Sequence, residues 1–380
     1  MSVIGGGLRG RLLGRGRLLG RGRLSVTVPV MDGPLRPNQR LEAAPAVLEA
    51  PGADNLAAAG EALWMSSGAR LLKLERSGGG WTPSLTETLP EAISCLAHDG
   101  GAGLAIGLDG GGLLLRGGDH DGKRLSGAPH LACPTACHFL GPDRLLVASG
   151  SARCRPSEWK RDLMSGGCSG SVALVDLKEG TRRLVADGLA FPYGLAPGDE
   201  GGFYVCESWR HRVVALDLES GAAPRRVLDE LPGYPARLLR AADGDYWLAL
   251  FAPRTQIVEF VLTEPGYRRR MMAEIDPRFW VAPDLSSGES FLEPMQGGAL
   301  KQMGILKPWA PPRSYGLVVH CGRDLLPKRS FHSRSDGTRH GITALAEAGG
   351  RLLAAAKGPG LLLDLTDIVS SGGPADGTPA

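Results

Sequence analysis

The stretch DGLAFPYGLAPGDEGGFYVCESWRHRVVALDL, residues 187–218, carries the pattern on which the fold turns. An apolar run ends near a proline, a Gly/Asp-rich turn follows, and Phe203-Tyr204-Val205-Cys206-Glu207-Ser208 then gives a run of β-formers closed by polar groups. Another short run, Arg212-Val213-Val214-Ala215-Leu216, comes directly after the next turn. Short β-forming runs separated by Gly-rich turns describe antiparallel strands.

Five more segments repeat the central run: Ala62-Leu63-Trp64-Met65-Ser66-Ser67, Leu104-Ala105-Ile106-Gly107-Leu108, Arg144-Leu145-Leu146-Val147-Ala148-Ser149, Tyr246-Trp247-Leu248-Ala249-Leu250 and Arg351-Leu352-Leu353-Ala354-Ala355-Ala356. Starts at 62, 104, 144, 203, 246 and 351 are separated by 42, 40, 59, 43 and 105 residues. A four-stranded propeller blade takes roughly 40 to 50 residues. Apolar runs such as Ile93-Ser94-Cys95-Leu96-Ala97 and Ile342-Thr343-Ala344-Leu345-Ala346 precede the repeats and supply an innermost strand. A blade cannot bury both faces alone, whereas six stacked in a ring can. The expected fold is therefore all-β, a six-bladed β-propeller, with a strand from near Arg40 to Leu48 closing the ring.

The two long intervals predict insertions on the rim or mouth, at about 152–169 and 265–340. Within the second, Arg268-Arg269-Arg270-Met271-Met272-Ala273-Glu274 suits a short helix, and Pro308, Pro311 and Pro312 restrict regular structure further on. The propeller then spans 31–368. Residues 1–30 and 369–380 read as disordered tails, and Met31 is a second candidate for the native start.

Composition supports this and excludes several functions. The 56 glycines and 28 prolines are spread among short apolar runs, as many tight turns require. Lys plus Arg exceeds Asp plus Glu by three, and arginines 9, 11, 15, 17, 21 and 23 all lie in the tail. The body is thus near neutral, with no basic face to bind nucleic acid or an anionic membrane. No apolar stretch reaches the ~18 to 20 residues of a membrane span. Seven cysteines form no paired framework, which suits a reducing, cytoplasmic setting. Cys133 and Cys137 with His138 lack the second pair that a zinc site requires. No phosphate loop or Gly-x-Ser-x-Gly elbow stands in the right context.

The order Phe191-Pro192-Tyr193-Gly194, Val205-Cys206-Glu207, Arg212 and Leu231-Pro232-Gly233-Tyr234-Pro235 resembles the conserved region of strictosidine synthases, within the superfamily that also holds gluconolactonases and paraoxonase-like lactonases. Weaker similarity runs from about Asp32 to Asp364. The resemblance implies a six-bladed propeller with its active centre at the mouth of the central channel. Lactonases of this kind hold a calcium ion on carboxylate and Asn oxygens. Carried over by position, the family's Asn falls on Tyr193 and its Asp on Ala236, neither of which is a ligand, while Asp54 and Asn55 keep oxygen donors near the first blade. Bound calcium is therefore disfavoured, and no metal or other cofactor is expected. In plant strictosidine synthases a glutamate near the last inner strand deprotonates an amine; here that region reads Arg339-His340-Gly341-Ile342-Thr343.

These substitutions leave Arg237, beside the lost ligand position, as a fixed positive charge in the channel, either holding a substrate or closing the channel by pairing with Asp54 or Glu207. Glu207, Glu293 and His340 are the candidates for moving protons. Asp54, Asn55, Tyr193 and His211 are candidate substrate contacts. The expected function is metal-independent chemistry on a small organic molecule, ester or lactone hydrolysis or amine-carbonyl condensation; the alternatives are a non-catalytic binding propeller and a calcium-dependent lactonase. Oligomeric state is not legible in the sequence.

Overall fold

The computed structural model describes residues 27–371, except positions 79, 127–128, 200, 291, 295–300, 303–304 and 307–311. Six four-stranded antiparallel sheets form the blades of a propeller. Their innermost strands are Ala53–Ala59, Ile93–His98, Pro134–Phe139, Pro192–Pro197, Gly233–Arg240 and Ile342–Ala348, for blades 1 to 6 in chain order. Each packs beside the next, and the last returns to the first, which closes the ring.

The repeated segments are the second strands of the six blades. Such a strand is covered on both faces by neighbouring blades, so its side chains do not alternate between core and water. Leu145, Leu146, Val147 and Ala148 all have 0% exposure, and so do Leu353 to Ala356. That double coverage makes these strands continuous apolar runs.

Blade 6 has only three strands from the C-terminal part of the chain. Its fourth is Ala46–Glu49, paired antiparallel with Leu361–Asp364. Joining first and last segments in one sheet makes ring closure part of a hydrogen-bonded ladder. The closing strand is shorter than expected, because Arg40–Ala43 forms a 3-10 turn. The preceding segment is bound to blade 5: Ser330 Oγ donates to the Pro34 carbonyl at 2.8 Å and Asn38 Nδ2 to the Ser330 carbonyl at 2.9 Å.

Both insertions connect second to third strands and so leave the same end of the ring. The blade 3 insertion contains helix α1, Trp159–Met164. The blade 5 insertion contains α2, Gln256–Thr263, and α3, Pro265–Glu274, which includes the helix expected from 268. Arg268 donates to the Met164 carbonyl at 2.7 Å, and Lys160 pairs with Asp284 at 2.8 Å, so the two insertions form one joined cover.

The second insertion was drawn too long in the sequence. Leu317–Cys321 and Pro327–His332 are the third and fourth strands of blade 5. The inserted text had displaced them from the blade period. Residues 1–26, 372–380 and 295–300 and the prolines at 308 and 311 lie outside the described residues. No helix among the described residues is long and apolar enough to cross a membrane.

Candidate functional site at the channel mouth

All six inner strands begin at the end of the ring from which the insertions emerge, because their first residues pair with the last residues of the second strands: Ala53 with Ser67, Pro192 with Glu207, Ile342 with Ala356. Arg237, on the inner strand of blade 5, extends into the channel and touches every other blade. Its Nη1 donates to Asp54 Oδ1 of blade 1 at 3.0 Å and to the Thr343 carbonyl of blade 6 at 3.2 Å. Nη2 donates to the Ser94 carbonyl of blade 2 at 3.0 Å and the Thr135 carbonyl of blade 3 at 3.2 Å. The guanidinium carbon lies 4.8 Å from the ring centre of Tyr193 in blade 4.

Gly194 makes this placement possible. A Cβ there would lie 2.5 Å from the Ala236 carbonyl oxygen and 2.8 Å from Arg237 Cα, so blades 4 and 5 approach closely only without a side chain. Tyr193 and Ala236, the positions to which the resemblance assigns cation ligands, thus become a ring face against the guanidinium and a small residue beside it.

Among the described residues, Asp54 is the only carboxylate that Arg237 bonds. It is also bonded by Lys357, whose Nζ lies 2.6 Å from Oδ2. Burial by itself would raise the Asp54 carboxyl, but Lys357 and then Arg237 reverse this and hold it below the usual carboxylate range. Burial works against the Lys357 ammonium, yet Asp54 and Tyr193 outweigh it and hold the group above an ordinary lysine. The three groups therefore carry two positive charges and one negative. The Asp54 side chain is 6% exposed and that of Arg237 14%, whereas Lys357 keeps 32%. Lys357 is thus the member of the triad that meets solvent.

The described oxygen donors here are few for a calcium ion, although Asn55 Oδ1 is buried without a hydrogen-bond partner. A hard dication needs six to eight oxygen donors, while Asp54, the carboxylate here, is already paired with two cations. Asn55 donates from Nδ2 to Ser66 Oγ at 2.8 Å and to the Ile93 carbonyl at 3.3 Å. At the opposite end of blade 5, Asp243, Asp245 and His320 come together, but Lys328 Nζ lies 2.6 Å from Asp245 Oδ2.

The expected proton-moving residues separate. Glu207 is fully buried, clamped by Arg210 and Arg212, and accepts from the Ala190 amide at 2.8 Å. Glu207 is thus held within blade 4 and is not brought to Arg237. Glu293 closes its own loop, accepting from the amides of Gly288 at 3.0 Å, Glu289 at 2.9 Å and Ser290 at 3.2 Å. His211 lies on the rim, with Nε2 3.1 Å from Glu259 Oε1 and Nδ1 3.2 Å from the Gly233 carbonyl. It lines an open groove of about 570 Å³ with Arg210, Arg226 and Arg254, whose charges are paired with Glu207, Asp229 and Glu230.

His340 is linked to the triad through the backbone of the residue that follows it. The Lys357 amide donates to the Gly341 carbonyl at 2.8 Å. Burial lowers the pKa of the imidazole, which is 3% exposed. Its Nδ1 lies 2.7 Å from Ser314 Oγ and its Nε2 2.8 Å from the Arg334 carbonyl oxygen.

An aromatic cluster ties the insertions to this mouth. Tyr193 packs edge-on to Phe251 at 5.9 Å, Phe251 meets Trp159 of α1 at 5.4 Å, and Trp209 stacks on Phe191 at 4.5 Å. Sequence reading missed Lys357, Ser314 and Ser287. Lys357 had a signal, since it directly follows the repeat at 351–356, where every second strand ends at the mouth. The serines had none, because only the folded insertion brings them to His340.

No protein-family model matches the chain. Strictosidine synthase-like 8 of Arabidopsis thaliana is 34% identical over 113 residues, 29% of this chain and 30% of that protein. Strictosidine synthase-like 10 of the same plant is 25% identical over 128 residues, 33% and 34% of the two chains. The chain thus matches about a third of the length of these curated relatives. A protein solved as a candidate gluconolactonase superposes with a TM-score of 0.51 at 12% identity, covering 84% of this chain and 90% of its own, a likeness of fold alone. About a third of the chain is thus similar to strictosidine synthase-like proteins, a likeness that supports that superfamily, and its fold is a six-bladed propeller.

Proposed function

We propose that this propeller is a metal-independent enzyme that hydrolyses an ester or lactone of a small organic molecule at the channel mouth. The observation that carries this reading is Lys357: a partly exposed ammonium at the mouth, kept charged by Asp54, which is itself anchored by Arg237. Such a group donates to a carbonyl oxygen as negative charge builds on it in the transition state. It is not a nucleophilic amine, since its pKa is raised. His340, whose following residue bonds the Lys357 amide, is the nearby base, buried and reached through Ser314.

Amine-carbonyl condensation has less support, because it needs a free carboxylate near the amine. Asp54, Glu207 and Glu293 are all engaged, and Glu347 bonds the Ala242 amide at 3.0 Å at the far end of blade 6. A second reading, a propeller that binds its ligand without turnover, is favoured by one feature: the hydrogen bonds of Arg237 are internal. A screen of lactones and aryl esters with and without Lys357→Met tests both. Turnover lost in the variant supports the enzyme; ligand-induced stabilisation without turnover by the wild type supports binding only. We also propose a cytoplasmic location, which an odd number of cysteines, seven, suits; finding the native protein in a secreted fraction would refute it.

A further inference from the structure

Two glycines at the mouth exist to admit one backbone. A Cβ on Gly358 would lie 2.0 Å from the Leu285 carbonyl oxygen, and one on Gly341, whose φ is +65°, would lie 2.8 Å from the same atom. Leu285 therefore seats the blade 5 insertion directly against the residue after Lys357. The loop that follows is held in shape by the Glu293 carboxylate on the amides of Gly288, Glu289 and Ser290. Ser286 Oγ adds a bond of 2.6 Å to Glu289 Oε1. Ser287 lies between these two anchors, partly exposed.

Ser287 Oγ is 2.7 Å from Ser314 Oγ, and Ser314 Oγ is 2.7 Å from His340 Nδ1. The direction of the proton chain follows from chemistry. A carbonyl oxygen only accepts, so the His340 nitrogen facing the Arg334 carbonyl, Nε2, carries the ring proton. Nδ1 is then the bare nitrogen and accepts from the Ser314 hydroxyl. The Ser314 oxygen is left to accept from Ser287. Ser314 is fully buried and His340 is 3% exposed, so only the Ser287 end of this chain reaches a ligand. A nucleophile, a base within reach through one hydroxyl, and a third group orienting the base are the elements of an activated serine.

We propose that Ser287 is the nucleophile of the hydrolytic reaction, activated by proton relay through Ser314 to His340; this rests on the ester- or lactone-hydrolase reading above. Ser287 Oγ bonds to the acyl carbon. Its proton passes to Ser314 Oγ as the Ser314 proton passes to His340 Nδ1. The proton then returns by the same route to the alkoxide that leaves as the ester C–O bond breaks, giving an acyl-Ser287 intermediate. Water repeats the sequence, releasing the acid and restoring the hydroxyl. In a lactone the leaving alcohol stays tethered to the acyl group. Ser287 is the catalytic residue; Ser314 and His340 act through it.

The test is labelling with an alkyl fluorophosphonate, read by intact mass and peptide mapping. The expected result is one adduct, on Ser287, absent in Ser287→Ala and formed roughly 100-fold more slowly in Ser314→Ala and His340→Asn. Ser314→Thr, which keeps the hydroxyl, should label close to the wild-type rate, which separates a relay from loss of packing. No adduct on the wild type, an adduct elsewhere, or an unchanged rate in Ser314→Ala overturns the proposal. Ester turnover retained in Ser287→Ala also overturns it while leaving the hydrolase reading in place.

Discussion

Arg237 and Asp54 meet across the channel axis at 3.0 Å, one from blade 5 and one from blade 1, separated by 183 positions in the chain. With the carbonyls of Ser94, Thr135 and Thr343, this pair links inner strands that would otherwise meet only their ring neighbours. A buried pair of this kind contributes little net stability compared with an apolar filling, but breaking one side of it is expensive.

Removal of one partner should therefore show that asymmetry. Arg237→Met leaves three buried carbonyls without their donor and should destabilise the propeller by about 3–5 kcal/mol. Asp54→Asn, which leaves two cations facing each other, should cost a similar amount. The double variant should lose clearly less than the sum, because the two changes remove one shared interaction. Urea unfolding of the three proteins checks this.

Gly194→Ala tests the close approach that admits Arg237. Its Cβ would meet backbone atoms of Ala236 and Arg237 at 2.5 and 2.8 Å, and backbone cannot swing aside as a side chain does. The expected loss is about 1–3 kcal/mol, with reduced turnover from displacement of the triad. An unchanged unfolding midpoint would show that the blades are not in close contact there.

Calcium should leave the protein unaffected. With the Asp54 carboxylate held by Arg237 and Lys357, no charge remains for a dication, so about 1 mM calcium or excess chelator should shift the melting temperature by less than about 1 °C. A bound ion would stabilise the native state by mass action, and a rise of several degrees would contradict the donor-set argument.

Acid should act through His332. This imidazole is fully buried between Tyr315 Oη at 3.1 Å and Ser330 Oγ at 2.8 Å, and burial pushes its pKa down to about 4 from 6.5. Between those values the unfolded chain binds more protons than the folded one. Stability is then complete above about pH 6.5 and falls as pH drops toward 4, by up to about 3 kcal/mol. His340, also lowered by burial, adds to the loss with the same sign. His332→Gln should flatten the decline measured by thermal melting at successive pH values.

What the sequence determined alone was the architecture. A second strand sandwiched between blades is apolar through its centre on both faces, so the runs within Arg144 to Ser149 and Arg351 to Ala356 announce themselves, and their spacing counts the blades. The same local logic failed at Leu317–Cys321, a strand of the same kind whose distance from its neighbours an insertion had lengthened. It also set the Arg40 end of the closing strand too early, since the 3-10 turn at Arg40–Ala43 depends on docking against blade 5. The site was legible only in part. Arg237 in the channel was reached through the resemblance, and its pairing with Asp54 was one of the readings left open beside pairing with Glu207 or holding a substrate. The engagement of Glu207 by Arg210 and Arg212, the self-capping of Glu293, the meeting of Lys357 with Asp54 and the line from Ser287 through Ser314 to His340 were not legible. Those relationships join residues from different blades and insertions, and which polar groups converge is decided by ring closure and by where Gly341 and Gly358 admit a loop. Period and burial are properties of a segment, while partnership is a property of the assembled ring.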